Sequence, residues 1–242
     1  TRIDRKNRIV YAKGEEGELS ISYQDLILCI GGRSFDREDY SYSLLDSLFV
    51  KYKPYQPMLC PVRIKEKIPS YLNKQRLRGT LYLFHQKKLL YSEEGEILFK
   101  EDGISGICVF NSTKYLLDEM EKTKEKKDYF YFFSYSEKEG IDDNTSLSCF
   151  PSFLVRYLAE EHYRPLEKLK FTFSSLYPFR ESQASYGGIA LSEIDKKTLH
   201  LVKDEHIYAI GEMVDVNLPC GGYNMGVALL SGYRVGKEIG EK

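Results

Sequence analysis

The sequence GEMVDVNLPCGGYNMGVALLSGYRVGKEI, residues 211–239, is the stretch of this 242-residue chain that decides its fold. It continues the apolar run HIYAIGE, which is typical of a buried strand. A glycine pair then opens a helix predicted over 222–239, although glycine inside a helix costs about 1 kcal/mol relative to alanine. Ala228, Gly232 and Gly236 lie four residues apart, so they form a stripe with almost no side chains. That stripe predicts a helix packed closely on a sheet.

The start of this helix is a candidate ligand site. Without side chains at Gly221 and Gly222, a ligand could reach the free N–H groups and the positive dipole end of the helix. Glu212 ends the preceding strand, and α/β sheets bind ligands at the carboxyl ends of parallel strands. A glycine-rich turn into a well-packed helix explains the glycine pair equally well, and this stretch alone favours neither interpretation.

Two segments with an α/β rhythm flank a middle segment rich in short strands. The first contains the apolar run DLILCI, predicted to be a strand buried on both faces, followed by Gly31-Gly32 and an amphipathic helix over 39–52. From 61 to 112 the short runs LRGTLYLFHQ, KKLLYSEEGEILFK and GICVF predict an antiparallel meander or barrel. Residues 129–133 predict a further strand, and PSFLVRYLAEE predicts a helix. The pattern therefore predicts one domain interrupted by an inserted one.

Composition excludes several classes of function. The net charge is −1, and the lysines near the aromatic run at 129–133 alternate with glutamates, so we expect no nucleic-acid partner. The chain has no apolar run long enough to span a bilayer, and we expect no membrane partner. Its five cysteines form no C-x-x-C pair and its four histidines no metal-ligand spacing. These patterns predict a reducing cytoplasm and no metal site.

The motifs resemble those of the bacterial aminoacetone oxidase-like FAD-binding flavoproteins, a family of NAD(P)/FAD-dependent oxidoreductases. That family carries approximately Gly-Glu-x-x-Asp-x-x-Gly-Pro-Cys-Gly-Gly-Tyr-Asn near its C-terminus. Here the matching residues are Gly211, Glu212, Asp215, Pro219, Cys220, Gly221, Gly222, Tyr223 and Asn224, with Leu218 in place of a glycine. LILCIGGRSF, GEILFKEDGISGICVFNST and QASYGGIALSEIDKKTL resemble further family segments in the same order, with Ser185 or Tyr186 near a family threonine.

The resemblance implies an α+β or α/β fold in which a partial Rossmann-like FAD-binding domain is interrupted by a barrel-like β-rich and helical insert. Residues 1–60 and 174–242 would form the FAD-binding part, and 61–173 the insert on the substrate side. It also implies cofactor-binding residues, namely Gly31, Gly32, Gly211, Glu212, Asp215, Gly221, Gly222, Tyr223 and Asn224. Glu212 would approach the ribityl or phosphate region, and the backbone of 221–224 the pyrimidine edge of the flavin. The implied partners are FAD, a small amine or carbonyl substrate, and NAD(P)H as a further candidate.

The sequence also departs from the family pattern. We find no G-x-G-x-x-G loop for the pyrophosphate, so we expect this chain to be the C-terminal portion of such an oxidoreductase and to bind FAD weakly or not at all. SFDREDYSYSLLD follows Gly32 where relatives carry a glycine-rich run, and Lys100-Glu101 stands where relatives carry Thr-His. These changes favour an alternative, a diverged non-catalytic binding module.

No catalytic residue is assigned: for Cys220 we favour turn packing over reactivity, and for Asp215 a loop-ordering hydrogen bond over a role as base.

Overall fold

The computed structural model describes residues 2–14, 17–34, 42–135, 150–162 and 168–241. Two compact units divide the chain: Thr1–Pro57 with Gln183–Lys242, and Met58–Ser182. We refer to them as the outer unit and the middle unit. Whether they correspond to a cofactor domain and a substrate-side insert, with the predicted bounds of 1–60, 174–242 and 61–173, stays a prediction.

The elements are numbered in chain order. The strands are β1 (Arg2–Asp4), β2 (Ile9–Gly14), β3 (Gly17–Ser22), β4 (Leu26–Leu28), β5 (Tyr52–Met58), β6 (Val62–Ile64), β7 (Arg76–His85), β8 (Lys88–Lys100), β9 (Gly103–Ser105), β10 (Tyr129–Ser134), β11 (Leu169–Leu176), β12 (Ala184–Ile189), β13 (His200–Leu201) and β14 (Asp204–Ala209). The α-helices are α1 (Ser43–Leu48), α2 (Ile107–Thr123), α3 (Ser152–Glu160) and α4 (Tyr223–Gly240).

The outer unit contains three small sheets. The strands β1, β2 and β3 form an antiparallel sheet, β5 pairs with β12, and the third sheet has the order β13-β14-β4. In that third sheet β14 runs parallel to β4, with Ile207 opposite Leu26 and Ala209 opposite Leu28. Aliphatic side chains from α1, β4, β12 and β14 share one buried core, which includes Leu45, Leu48, Ile189, Ile207 and Met213. The carboxyl end of β14 leads directly to Glu212.

The middle unit is a closed six-stranded antiparallel barrel with the order β10-β11-β6-β9-β8-β7. In β10 the side chains of Tyr129, Tyr131 and Phe133 are buried inside the unit, whereas Phe130 and Phe132 are half-buried. This alternation follows from the two-residue period of a strand. The prediction of barrel material is confirmed, because β7 and β8 coincide with two of the predicted runs and β6 and β9 lie within the predicted range 61–112.

One predicted strand in the middle unit is wrong. The run GICVF begins α2 instead, directly after Gly106, whose φ of 122° ends β9. The buried residues of α2 explain the difference, because Cys108, Val109, Ser112, Thr113, Leu116 and Leu117 follow a helical spacing. The short apolar run could not distinguish a buried strand from the first turn of a buried helix.

Predictions for the outer unit are met in part. The helix predicted over 222–239 is confirmed as α4, and Gly232 packs against the sheet, since a Cβ there would lie 3.6 Å from Ile210 Cδ1. At Gly236, however, a Cβ would meet nothing within 4 Å among the described residues, so the stripe does not reach that far. The burial predicted for both faces of DLILCI is wrong, because Ile27 is 41% exposed. Of the helix predicted over 39–52, Ser43–Leu48 is helical and 39–41 lie outside the described residues.

Within the described part of the chain, we find no helix that combines the length and the apolar character needed to cross a bilayer.

Candidate functional site

The carboxylate of Glu212 organises the candidate site in the outer unit. Its Oε1 accepts the backbone N–H of Ser185 at 2.6 Å, and its Oε2 accepts the N–H of Gly32 at 3.1 Å. The hydroxyl of Ser34 donates to the same carboxylate, 2.9 Å from Oε1 and 3.0 Å from Oε2. One side chain therefore joins the loop after β4, strand β12 and the turn after β14.

Ser185 makes a second connection between β12 and the loop after β4. Its Oγ accepts the backbone N–H of Arg33 at 2.8 Å and lies 3.2 Å from Ser34 Oγ. Ser185 is buried, with 3% of its surface exposed, so these polar contacts are shielded from solvent. Buried polar groups are costly unless they are hydrogen-bonded, and here the partners are supplied by the loop itself.

Gly32 is required because the three segments approach each other so closely. A Cβ at this position would lie 2.7 Å from Ser185 Oγ and 2.8 Å from Glu212 Oε2. Gly31, beside it, has a φ of 72°, in the left-handed region that favours glycine. The glycine pair after β4 therefore makes a sharp turn at Gly31 and a close approach at Gly32.

Glu212 faces protein donors in this structure. A carboxylate has about four lone-pair sites, and three donors from Gly32, Ser34 and Ser185 already occupy both of its oxygens. This arrangement suits a residue that fixes backbone positions. The predicted contact of Glu212 with the ribityl or phosphate region of a flavin stays a prediction.

The loop between Glu212 and α4 is held by two side chains. Asp215 pairs with Lys53 Nζ at 2.8 Å through Oδ2 and accepts Asn217 Nδ2 at 2.6 Å through Oδ1. Asn224 holds the other end of the loop, because its side chain accepts the N–H of Leu218 at 3.1 Å and donates to the Leu218 carbonyl at 2.9 Å. Asp215 and Asn224 thus have loop-ordering contacts, while a direct contact of either with a cofactor stays a prediction.

The amino end of α4 is preceded by two residues without side chains, Gly221 and Gly222. Gly221 has a φ of 122° and Gly222 a φ of 83°, and a Cβ at Gly222 would meet nothing within 4 Å in the described part of the chain. The first hydrogen bond of the helix runs from Gly226 N–H to the Gly222 carbonyl. No described side chain caps the helix at this end. Because the first turn of a helix lacks internal partners for its N–H groups, these amides can bind an external acceptor.

Two other predicted residues contact or belong to α4. Tyr223 is 59% exposed, and its ring lies beside Gly221. Gly211 has a φ of 64° and donates its N–H to Ser231 Oγ at 3.1 Å, which fastens the turn after β14 to α4. Cys220 Sγ lies 3.5 Å from Gln183 Oε1, a contact that agrees with a packing role.

An apolar cavity lies next to α4 but does not include the polar site. Its volume is about 220 Å³, and its lining includes Ile194, Ala209, Ile210, Val214 and Val227. Neither Glu212 nor the glycine pair before α4 belongs to that lining. Among the described residues, no group of three or more His, Cys, Asp or Glu side chains could hold a metal ion.

Lys100, where relatives were expected to carry a threonine, has structural contacts in the middle unit. Its Nζ lies 2.5 Å from Glu181 Oε2 and 4.6 Å from the centre of the Tyr177 ring. Burial and the hydrogen bond to Asp102 raise the pKa of Tyr177 above its usual range. The tyrosine therefore stays protonated in this network at neutral pH.

The sequence did not indicate Ser34, Ser185 and Lys53 as members of the site. Ser185 was noted only for its place beside a family threonine, and Ser34 only as part of a glycine-rich segment. A serine next to a glycine pair at the end of a strand is a weak signal, since it occurs in many ordinary turns. The hydrogen bonds of Ser34 to Ser185 and to Glu212 span 151 and 178 positions in sequence, and that of Arg33 to Ser185 spans 152.

Comparison with protein families matches residues 1–238 to the HI0933-like protein Rossmann domain. The chain belongs to that family. It is a family of FAD-binding flavoproteins within the NAD(P)/FAD oxidoreductase superfamily, so the resemblance found in the sequence is confirmed.

A curated relative is the 3-dehydro-bile acid delta(4,6)-reductase of Clostridium scindens. It is 26% identical to this chain over 254 residues, which cover 90% of the chain and 62% of that reductase. The chain therefore spans less than two thirds of the length of this relative.

Proposed function

We propose that this chain forms the flavin-facing C-terminal portion of a flavin-dependent oxidoreductase that acts on a small organic substrate. The single observation that carries the proposal is the amino end of α4, where Gly221 and Gly222 carry no side chains and no described side chain caps the helix. Membership in a FAD-binding family supports a flavin as the group that meets them.

The residues present fit the ring end of a flavin. The open space at Gly222 accommodates a flat ring close to the backbone, and the amides and helix dipole favour its electron-rich carbonyl edge. When bound, a flavin supplies hydride and electron transfer, and the protein supplies orientation and electrostatics. In this proposal the backbone of 221–224 binds the ring edge, while Glu212 holds the loop after β4 in place.

The relative from Clostridium scindens is named as a 3-dehydro-bile acid delta(4,6)-reductase, and the resemblance also implies small amine or carbonyl substrates. We propose a small carbonyl compound, with NAD(P)H as the source of the hydride. This assignment rests on the relatives and has no residue of this chain assigned to it.

A second candidate is a non-catalytic binding module. It is favoured by the engagement of Glu212 with protein donors and of Lys100 with Glu181, which leaves neither side chain turned toward a substrate. In that case the chain would bind a flavin but would not reduce it with NAD(P)H.

The test is a comparison of ligands that share parts of FAD. We expect riboflavin, FMN and FAD to bind with similar, weak affinities. The sequence has no pyrophosphate-binding loop, so the ADP half of FAD should add no binding energy. ADP alone should not bind. Flavin fluorescence titrations and calorimetry with ADP measure these affinities.

The outcomes separate the alternatives. No saturable binding of any flavin, by this chain alone or together with a partner that completes the protein, would contradict the proposal, and binding of ADP alone would move the site to the nucleotide end of a cofactor. Flavin binding without NAD(P)H-dependent bleaching of the flavin, also with any partner that completes the protein, would favour the non-catalytic module.

A further inference from the structure

The apolar cavity of the outer unit lies between α4 and the segment that follows β12. Its volume is about 220 Å³. Ile194, Ala209 and Val214 form buried walls, each at most 8% exposed, and α4 contributes Val227. Protein interiors contain few voids larger than a water molecule, and apolar cavities of this kind take up small apolar ligands. The walls therefore fit an alkyl chain.

The lining reaches solvent at Leu191 and Lys196, which we call the mouth of the cavity. Leu191 is 50% exposed, and Lys196 is exposed as well. Ser231 is the other polar side chain in the described lining, and its hydrogen bonds are already made. Its Oγ accepts the N–H of Gly211 at 3.1 Å and donates to the carbonyl of Ala228 at 3.0 Å. Lys196 is thus the polar group that a ligand in the cavity can meet.

The ammonium of Lys196 is available to an anion. In the described part of the chain, no hydrogen bond or ion pair joins it to another residue. Asp195, the acid next to it in sequence, is engaged by its own turn. The Oδ1 of Asp195 accepts the backbone N–H of Lys197 at 2.8 Å and that of Thr198 at 3.0 Å. The mouth therefore carries a positive charge that favours a carboxylate.

The turn that carries Lys196 is fixed beside the cavity. Leu199, at the end of this turn, lines the cavity and has a φ of 68°, an uncommon conformation for a residue other than glycine. Its N–H donates to the carbonyl of Asp195 at 2.9 Å, and Arg234 of α4 donates to the carbonyl of Lys197. Backbone strain of this kind persists only where the surrounding structure fixes it, and it is concentrated at ligand sites.

We propose that this cavity binds a medium-chain aliphatic carboxylate, with the alkyl chain between the apolar walls and the carboxylate beside Lys196. The apolar walls exclude a charged group, and the ammonium at the mouth favours a negative one. A straight alkyl chain with one terminal carboxylate meets both conditions. The proposal does not depend on the proposed flavin contact, because none of residues 221–224 lines the cavity.

The experiment titrates the whole chain with butanoate, hexanoate and octanoate by isothermal titration calorimetry. The affinity should rise about fourfold for each added methylene, since each one leaves water on binding. Octanamide, which has the same shape as octanoate but no charge, should bind at least fivefold more weakly. Absence of saturable octanoate binding, or equal affinities for octanoate and octanamide, would overturn the proposal.

Lys196→Gln tests the charge at the mouth. It should weaken octanoate binding at least fivefold and leave octanamide binding within twofold of the unmodified chain. Lys197→Gln is the matched control, because Lys197 is the next residue, is equally charged and exposed, and does not line the cavity. It should leave both affinities within twofold. Equal weakening of octanoate binding by the two variants would overturn the contact with Lys196.

Val227→Phe tests the location of the alkyl chain. The larger side chain would occupy the cavity, so octanoate affinity should fall at least tenfold. Leu191→Ala makes the same test at a half-exposed position where the fold does not depend on the side chain, and it should weaken octanoate binding at least threefold. Circular dichroism shows whether each variant is folded. Unchanged octanoate affinity in folded Leu191→Ala and folded Val227→Phe would place the ligand elsewhere and overturn the proposal.

Discussion

The carboxylate of Glu212 accepts the backbone N–H of Ser185 at 2.6 Å, which joins the turn after β14 to strand β12. The same carboxylate holds Gly32 and Ser34 of the loop after β4. Three segments that are distant in sequence thus depend on one side chain. A glutamate predicted for a ligand contact is, in this structure, the central hydrogen-bond acceptor of its unit.

Glu212→Ala should lower the free energy of unfolding by about 2 kcal/mol, because it leaves the donors of Gly32, Ser34 and Ser185 without their acceptor. Urea unfolding followed by circular dichroism measures the change. Glu205→Ala is the control: its side chain is 75% exposed, and its loss should cost less than about 0.5 kcal/mol. Equal stability of Glu212→Ala and the unmodified chain would show that these hydrogen bonds contribute nothing.

Gly32→Ala should destabilise the outer unit by about 1–3 kcal/mol, because the new Cβ would lie 2.8 Å from Ser185 Cβ. The second change Ser185→Gly removes two of the three obstructing atoms, Ser185 Cβ and Oγ, and leaves Glu212 Oε2. If the clash is the cause, the double variant should recover stability, with a coupling of at least about 1 kcal/mol in a double-mutant cycle. Additive losses would place the cause elsewhere, in the conformation of the loop.

The sequence was sufficient to predict the structure where the local pattern and the long-range packing favour the same element. The glycine pair before α4, the turn at Gly31-Gly32 and the aromatic strand β10 all follow from φ preferences or the two-residue alternation. The sequence was insufficient to predict the element where a short apolar run fits both a buried strand and a turn of buried helix. GICVF became the first turn of α2 because burial of Cys108 and Val109 continues into later turns, which a five-residue window does not contain.

The candidate site shows the same limit. Glu212 and Gly32 could be named from their place at strand ends, but their mutual contact joins positions 180 residues apart. Nothing local in the sequence marks Ser34 or Ser185 as the partners of that carboxylate. Likewise the exposure of Ile27 in β4 depends on what lies beside the strand, which an apolar run cannot show.

Cys60 and Cys108 should resist alkylation in the folded protein. Burial raises the pKa of the Cys60 thiol to about 12 and that of Cys108 to about 11, so almost no reactive thiolate forms at neutral pH. Cys29 is exposed and should be labelled by iodoacetamide faster than Cys60 or Cys108, which peptide mass spectrometry resolves residue by residue. Labelling of Cys60 or Cys108 at the rate of Cys29 without denaturant would contradict the buried positions.

Asp195 should make stability depend on pH below about pH 4. The backbone N–H of Thr198, its hydroxyl and the N–H of Lys197 lower the pKa of the carboxyl from 3.8 to about 2. Because the folded-state pKa is the lower one, its contribution is present above the unfolded value and is lost as the pH falls toward 2. The stability difference between the chain and Asp195→Asn should therefore be constant above about pH 5 and shrink toward pH 2.

The control for this pH profile is Glu205→Gln, an exposed carboxylate in the same unit. The difference in the free energy of unfolding between Glu205→Gln and the unmodified chain should stay small over the same pH range. Unfolding by urea at each pH gives both profiles. A difference for Asp195→Asn that grows on acidification would have the wrong sign and would contradict the hydrogen bonds around Asp195.

Gly222→Ala and Gly236→Ala should have opposite effects. Gly236 lies inside α4 with open space around it, so alanine there should stabilise the helix by about 1 kcal/mol. Gly222 has a φ of 83°, where alanine costs about 1–2 kcal/mol, and its Cβ would stand in front of the amides proposed to face a flavin. Flavin affinity should accordingly fall at least tenfold in Gly222→Ala and stay unchanged in Gly236→Ala. Backbone strain alone would lower the free energy of unfolding without changing the flavin affinity of the folded protein. An unchanged affinity in folded Gly222→Ala would therefore contradict binding of the flavin ring at this end of α4.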